Sequence, residues 1–173
     1  MNKVYENILT RASVRSFTDK AIERSDLELI LDAGVHAPSG MNKQTWRFTV
    51  LSSQGKIQGF AKVVREALGR DESYNFYKPA ALVIMSNDRD NHLGEVDCAC
   101  ALENMFLMAH ELGIGSCWIN QANVCCDDET VRSMLTSFGV PVNHRVYGMA
   151  ALGYAAGEVV PKEKNKAAIC FVD

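Results

Sequence analysis

Arg11, Ser13 and Arg15 sit in the stretch RASVRSF, residues 11 to 17. In an extended segment their side chains share one side of the chain, whereas on a helix only Arg11 and Arg15 would be neighbours. In both cases the two guanidiniums can converge. A guanidinium matches phosphate oxygens as a bidentate fork, and a phosphomonoester carries roughly -1.5 to -2 charge at pH 7, so two arginines and a hydroxyl suit such a group. Each hydrogen bond to a charged group is worth about 1.5 to 3 kcal/mol. Spacing alone favours the plainer alternative, a solvated loop carrying two surface arginines.

Other stretches offer further binding chemistry. APSGMNKQTW presents Ser39, Asn42 and Gln44 as uncharged hydrogen-bonding groups beside Trp46, with Gly40 permitting close backbone approach. It can read the polar edge of a heteroaromatic ring, or it can be a connection whose Ser and Asn satisfy their own backbone. GIGSCWIN sets Gly113, Gly115 and Ser116 before Cys117 and Trp118, where backbone N-H groups can face a planar ligand. A dinucleotide fingerprint would need glycine at 118, so this is not a Rossmann phosphate loop. Lys162 and Lys164 lie in the basic run PKEKNK, a solvated tail unless the chain folds back to Arg11 and Arg15.

The cysteines carry less chemistry. Cys98 and Cys100 form C-x-C inside an apolar stretch and Cys125 and Cys126 are adjacent, neither giving the C-x2-C knuckles of zinc sites, so no metal centre is expected. Cys117 as a nucleophile would need a histidine base, and His36, His92, His110 and His144 have no spacing that nominates one. His110 reads as a satisfied, partly buried histidine.

These residues need elements to hold them. KVYENILT (3 to 10) suggests a short helix with Val4, Tyr5 and Ile8 inward, leaving the basic stretch in or beside a loop. Ser25-Asp-Leu-Glu is a capping-box pattern followed by Leu27, Ile30, Leu31 and Val35 at helical spacing, ended by Pro38. TWRFTVL alternates as a half-exposed strand, and Ile57, Phe60, Ala61, Val64 and Leu68 mark a second amphipathic helix stopped at Gly69. AALVIMS (80 to 86) is a continuous apolar run suited to a central strand. Val96 to Leu112 is apolar nearly all round, a buried core helix ended by Gly113. IGSCWI is a short strand, Asp127 or Asp128 caps a helix through Val131, Met134, Leu135 and Phe138, and RVYGMAALGY is the last strand. Alternating elements without tight hairpin dipeptides favour an α+β or α/β sandwich with helices covering a mixed sheet.

The totals bound the function. At 173 residues, 47% apolar and 23% charged, residues 1 to 173 are expected to form a single domain, and no linker or repeat divides them. A net charge of -3 argues against a broad attraction to nucleic acid or anionic membrane while leaving room for a local basic pocket. No apolar run reaches the roughly 18 residues of a membrane span, no secretory signal is evident, and the six cysteines read as thiols in a reducing compartment, so a cytoplasmic protein is expected.

Taken in order, Arg-x-Ser-x-Arg-x-Phe, Ala-Pro-Ser-x-x-Asn-x-Gln-x-Trp, Gly-Ile-Gly-Ser-Cys-Trp and Leu-Gly-Tyr with Pro-Lys-x-Lys make the chain resemble the FMN-dependent nitroreductases over residues 11 to 164. The resemblance implies an α+β three-layer sandwich, a mixed and mostly antiparallel sheet flanked by helices, in an interleaved homodimer with FMN at the interface. It implies that Arg11, Ala12, Ser13 and Arg15 bind the phosphate and ribityl region, with Lys162 and Lys164 completing the clamp. Pro38, Ser39, Gly40 and Asn42 would reach the flavin from the other subunit, and Ser116, Cys117 and Trp118 would run along its ring. Asn75 or Lys78 could add a contact. The implied activity is an FMN-dependent oxidoreductase taking hydride from NADH or NADPH and reducing nitroaromatics, quinones or similar small acceptors by a ping-pong mechanism. In it the flavin carries the chemistry and Arg15 gives electrostatic support. A storage or sensor module that binds FMN without efficient turnover, or a domain without cofactor, would use the same residues differently. Three departures stand out: Gly40 replaces the second Ser of the usual Pro-Ser-Ser, Thr45 stands where Pro commonly precedes Trp, and Lys164 occupies the usual Arg. Lysine keeps the charge but loses the fork.

Overall fold

The computed structural model describes residues 2 to 165 and 167 to 172. A four-stranded antiparallel sheet lies at the centre in the order β1-β2-β4-β3, formed by β1 (Trp46–Leu51), β2 (Ala81–Asp88), β4 (His144–Gly153) and β3 (Gly115–Ile119). The near-continuous apolar sequence of β2 follows from this position, because it is paired on both edges and covered on both faces.

Side-chain alternation sorts the strands into two cores. Leu82, Ile84, Met149 and Ala151 face α3 (Gln54–Ala67) and α6 (Glu129–Ser137), where they meet Ile57, Phe60, Val64, Val131 and Leu135. Val83, Met85, Ala150 and Leu152 face α2 (Arg24–Val35) and α4 (Gly94–Glu111), meeting Leu27, Ile30, Leu102 and Met105. Helices on both faces give the three-layer α+β sandwich. A short helix, α5 (Gln121–Cys125), links β3 to the turn before α6 and has no counterpart in the sequence reading. Asp128, not Asp127, caps α6, accepting from the N-H groups of Thr130 and Val131. Asp127 instead accepts from Arg89, Arg132 and Arg145.

Two local expectations are corrected. The capping box at Ser25 is unused: α2 begins at Arg24 after extended Glu23, because Glu23 O takes the Leu27 N-H at 3.1 Å, and Ser25 falls inside the first turn. The first helix, α1 (Lys3–Thr10), forms where its periodicity placed it, yet it buries no residue. It is tied to α4 by polar contacts, with Asn7 Nδ2 3.2 Å from Leu107 O and Thr10 Oγ1 2.8 Å from His110 Nε2. Val4, Tyr5 and Ile8 therefore point outward, Val4 being 66% exposed, since none of the described residues covers them.

Candidate functional site

RASVRSF is extended, and glycine is the reason it can dock. Val14 N donates to Ser116 O at 2.9 Å, and Ser13 bridges Ser116 in parallel at the free edge of β3. A Cβ on Gly115 would stand 2.7 Å from Val14 Cγ2, so only glycine lets the segment approach this closely. On the far side, Ala156 N donates to Ser16 O at 3.0 Å and Thr18 N to Tyr154 O at 2.8 Å. With Val14 buried, the alternation leaves Arg11, Ser13 and Arg15 on the opposite side.

The tail after β4 returns to the same place. Arg11, Ala12, Ser13, Arg15, Lys162 and Lys164 line one cleft of about 130 Å³ together with Val160. Four cations thus converge with no carboxylate among the described residues of the lining, although Arg11 Nε also lies 3.6 Å from Glu103 Oε1. Arg15 extends the cleft into a larger one of about 640 Å³ that holds Trp118, Asn75, Tyr77, Asn120 and Gln121. Trp118, 36% exposed, packs edge-on against Phe106, and Gly148 leaves room for its ring, since a Cβ there would come within 2.7 Å of Trp118 Cζ2. Cys117 points the other way, into the core. Burial raises its pKa against the opposing pull of Arg15 and Arg11, which disfavours the thiolate.

The geometry suits FMN. A phosphate matches four cations and the Ser13 hydroxyl in a small cleft, and the adjoining larger cleft, rich in polar groups and with Trp118 in its wall, matches a planar heteroaromatic ring.

Not every anticipated residue joins this group. Ser116 and Cys117 line neither cleft, and neither do Pro38, Ser39, Gly40 and Asn42. Their loop is fastened to the first turn of α4, where the Gly40 N-H donates to Asp97 Oδ1 at 2.8 Å, whereas Ser116 follows the opposite end of that helix. Asp97 and Glu111 are separated along α4 by about 21 Å at 1.5 Å per residue. Within one chain the loop is therefore remote. Ser39 and Asn42 partly satisfy it from within: Gln44 N donates to Ser39 Oγ at 3.3 Å and Gln44 Nε2 to Asn42 Oδ1 at 2.7 Å. Met41, Asn42 and Gln44 nevertheless hold φ of 54°, 54° and 50°, in the left-handed region that costs an ordinary residue about 1 to 2 kcal/mol.

Of the two further candidates, Asn75 lines the larger cleft while Lys78 does not. Both belong to a turn in which Tyr77 N donates to Asn75 Oδ1 at 2.9 Å, and Phe76, Tyr77 and Lys78 all have positive φ. Sequence reasoning passed over Arg70, Tyr74, Asn120 and Gln121, which also line this cleft. The adjacent Asn-Gln directly after an apolar strand was the signal available. Tyr74 is set by tertiary packing alone: its hydroxyl is buried without a partner, and burial holds its pKa well above the ordinary phenol value.

The nitroreductase family profile matches residues 8–154, which takes in the extended arginine segment, the glycine-bearing β3 edge and the whole sheet. The chain belongs to the nitroreductase family. Among its structural neighbours, a nitroreductase from Bacteroides fragilis crystallised with bound FMN is 43% identical, with a TM-score of 0.92 and full coverage of both chains. A Desulfitobacterium hafniense nitroreductase, also with bound FMN, is 24% identical at a TM-score of 0.90 over both whole chains and shows the shared nitroreductase fold. An Archaeoglobus fulgidus protein with the provisional name NADH dehydrogenase/NAD(P)H nitroreductase is 29% identical, covering 91% of this chain and 88% of that protein. Among the described residues of this family member, no helix is long and apolar enough to cross a membrane.

Proposed function

We propose that this nitroreductase-family chain works as a homodimer that moves hydride from NADH or NADPH to nitroaromatics, quinones or similar small acceptors by a ping-pong mechanism. Family membership and the FMN-bound relatives make it, at the coarser level, an FMN-dependent NAD(P)H oxidoreductase. The observation that carries the reading is the cationic cleft of Arg11, Arg15, Lys162 and Lys164, which opens through Arg15 into the Trp118-lined cleft.

When bound, FMN would supply the redox chemistry, hydride acceptance from a reduced nicotinamide and electron delivery to an acceptor. The chain supplies binding and charge. Arg11 and Arg15 hold the phosphate with Ser13, Lys162 and Lys164, and the backbone at Ala12 stays close to it. Trp118 would stand beside the ring, and Ser116 and Cys117 would reach it only through their main chain. Arg15, common to both clefts, places positive charge where electron density accumulates, so no protein acid or nucleophile is required.

The second copy supports two features. It covers Val4, Tyr5, Ile8 and Leu9 of α1, an apolar group exposed in the single chain. It also brings Pro38, Ser39, Gly40 and Asn42 to the partner's flavin, which explains a polar, strained loop so far from its own cationic cleft. We place the reaction in the cytoplasm, where reduced nicotinamides are plentiful.

The test is anaerobic mixing of the FMN-loaded protein with NADH or NADPH. Loss of the oxidised flavin absorption, restored by a quinone, is the expected outcome. Flavin that stays oxidised with both donors would leave a binding module and defeat the enzyme reading.

A further inference from the structure

Two departures from the usual family pattern, Gly40 and Thr45, meet in one buried hydrogen-bond network beneath the Pro38–Asn42 loop. Asp97, 3% exposed in the first turn of α4, accepts from the Gly40 N-H at 2.8 Å with Oδ1 and from Asn91 Nδ2 at 3.0 Å with Oδ2. Asn91 Nδ2 also donates to Thr45 Oγ1 at 3.1 Å, and the Thr45 hydroxyl donates to Asn87 Oδ1 at 2.7 Å. Asn87 Nδ2 closes the set on Gly94 O at 3.4 Å, and Leu93 N donates to Asn91 Oδ1 at 3.1 Å. Both ends of the strained segment 41 to 44 are thus fastened to the same helix start.

Gly40 lets Leu93 pack directly over that fastening. A Cβ at position 40 would fall 2.3 Å from Leu93 Cδ1 and 3.3 Å from Leu93 Cβ, so a serine there could not keep the amide on Asp97 without displacing Leu93. Proline at 45 would remove the hydroxyl that links Asn87 to Asn91. Both partners of the Asp97 carboxylate are donors.

We infer that Asp97 is a positioning residue for the flavin: through Gly40, Asn91 and Thr45 it holds the Pro38–Asn42 loop in the shape that meets FMN across the subunit boundary. This rests on the cross-subunit reading above. It acts through the loop and touches neither cofactor nor substrate. In Asp97→Asn the carboxamide would turn an N-H2 toward one of two donors, so one contact must open.

The experiment reads loop and flavin separately. Hydrogen exchange on the cofactor-free protein should show amides of segment 38 to 45 exchanging at least about tenfold faster in Asp97→Asn. FMN titration should show a dissociation constant raised about tenfold, with a shifted absorption band for the flavin that remains. Faster exchange with unchanged FMN affinity and spectrum would overturn the positioning role, and so would unchanged exchange. If Asp97→Asn fails to fold, Thr45→Val carries the same two readouts, with several-fold effects expected in both and an unchanged FMN affinity decisive against the inference. Wild-type protein that takes up no FMN would defeat the cofactor reading itself, a result visible before any variant is made.

Discussion

The two ends of α4 hold loops with opposite materials. Near its C-terminal end, RASVRSF and the tail gather four long cations around a small cleft, with Glu103 in ion-pair range of Arg11. At its N-terminal end, one buried carboxylate and three short neutral side chains close a network in which Asp97, Asn91, Thr45 and Asn87 are all paired. The first region holds charge in reserve for a ligand, and the second uses its polarity up internally. Ligand affinity should therefore concentrate at the cationic end and loop order at the other, so mutations at the two should separate binding from stability.

The largest expected effect comes from Arg11→Ala with Arg15→Ala. Losing two charge-assisted contacts of about 1.5 to 3 kcal/mol each should raise the FMN dissociation constant about 10² to 10⁴-fold, while the cofactor-free protein melts close to wild type. Full flavin retention in this variant, measured by equilibrium dialysis, would show that the anchor lies elsewhere. Thr45→Val should do the reverse in emphasis, lowering unfolding free energy by about 1 to 3 kcal/mol in a denaturant titration because Asn87 and Asn91 lose a buried partner. A wild-type midpoint would remove the contrast.

Salt sharpens it without mutation. Raising ionic strength from about 0.05 to 0.5 M should weaken FMN binding several-fold by screening the exposed cations, yet leave hydrogen exchange in segment 38 to 45 unchanged. A smaller gain is expected from Lys164→Arg, which restores the planar fork and should tighten FMN by a few-fold at most. Weaker binding would mean that the tail contact is set by reach, with the fork geometry immaterial.

The smallest effect is a control on a third, exposed arrangement. The hydrogen bond from Arg89, helped by Arg132, lowers the Asp127 pKa. A folded-state pKa below the unfolded one contributes stability above the ordinary carboxylate range and loses it as pH falls below about 4. Asp127→Asn should flatten that acid limb slightly in pH-dependent melting and leave neutral-pH flavin affinity alone. A change in FMN binding at neutral pH would link this cluster to the cationic cleft.

How legible each region was follows from how far apart its parts lie in sequence. Arg11, Ser13 and Arg15 are close enough for their alternation to be read directly, and the order of four motifs pointed to the family before any geometry was known. The network escaped notice because Gly40, Thr45, Asn87, Asn91 and Asp97 are spread over 58 residues and each looks ordinary where it stands. The apolar face of α1 shows the converse. Periodicity identified Val4, Tyr5 and Ile8 as a face needing cover, but whether a helix in the same chain or a second copy provides it depends on where α4 lies.

The sequence by itself determined the elements other than α5, the central place of β2, the two apolar faces and the cationic character of the anchor, because these depend on periodicity, burial and charge within short windows. Tertiary structure decided which loops share a surface. It carried Lys162 and Lys164 back to Arg11 and Arg15 while sending Pro38–Asn42 to the opposite end of α4. Both outcomes rest on backbone approaches that only packed elements define: the close docking of Val14 on Gly115 and the seating of Gly40 against Leu93.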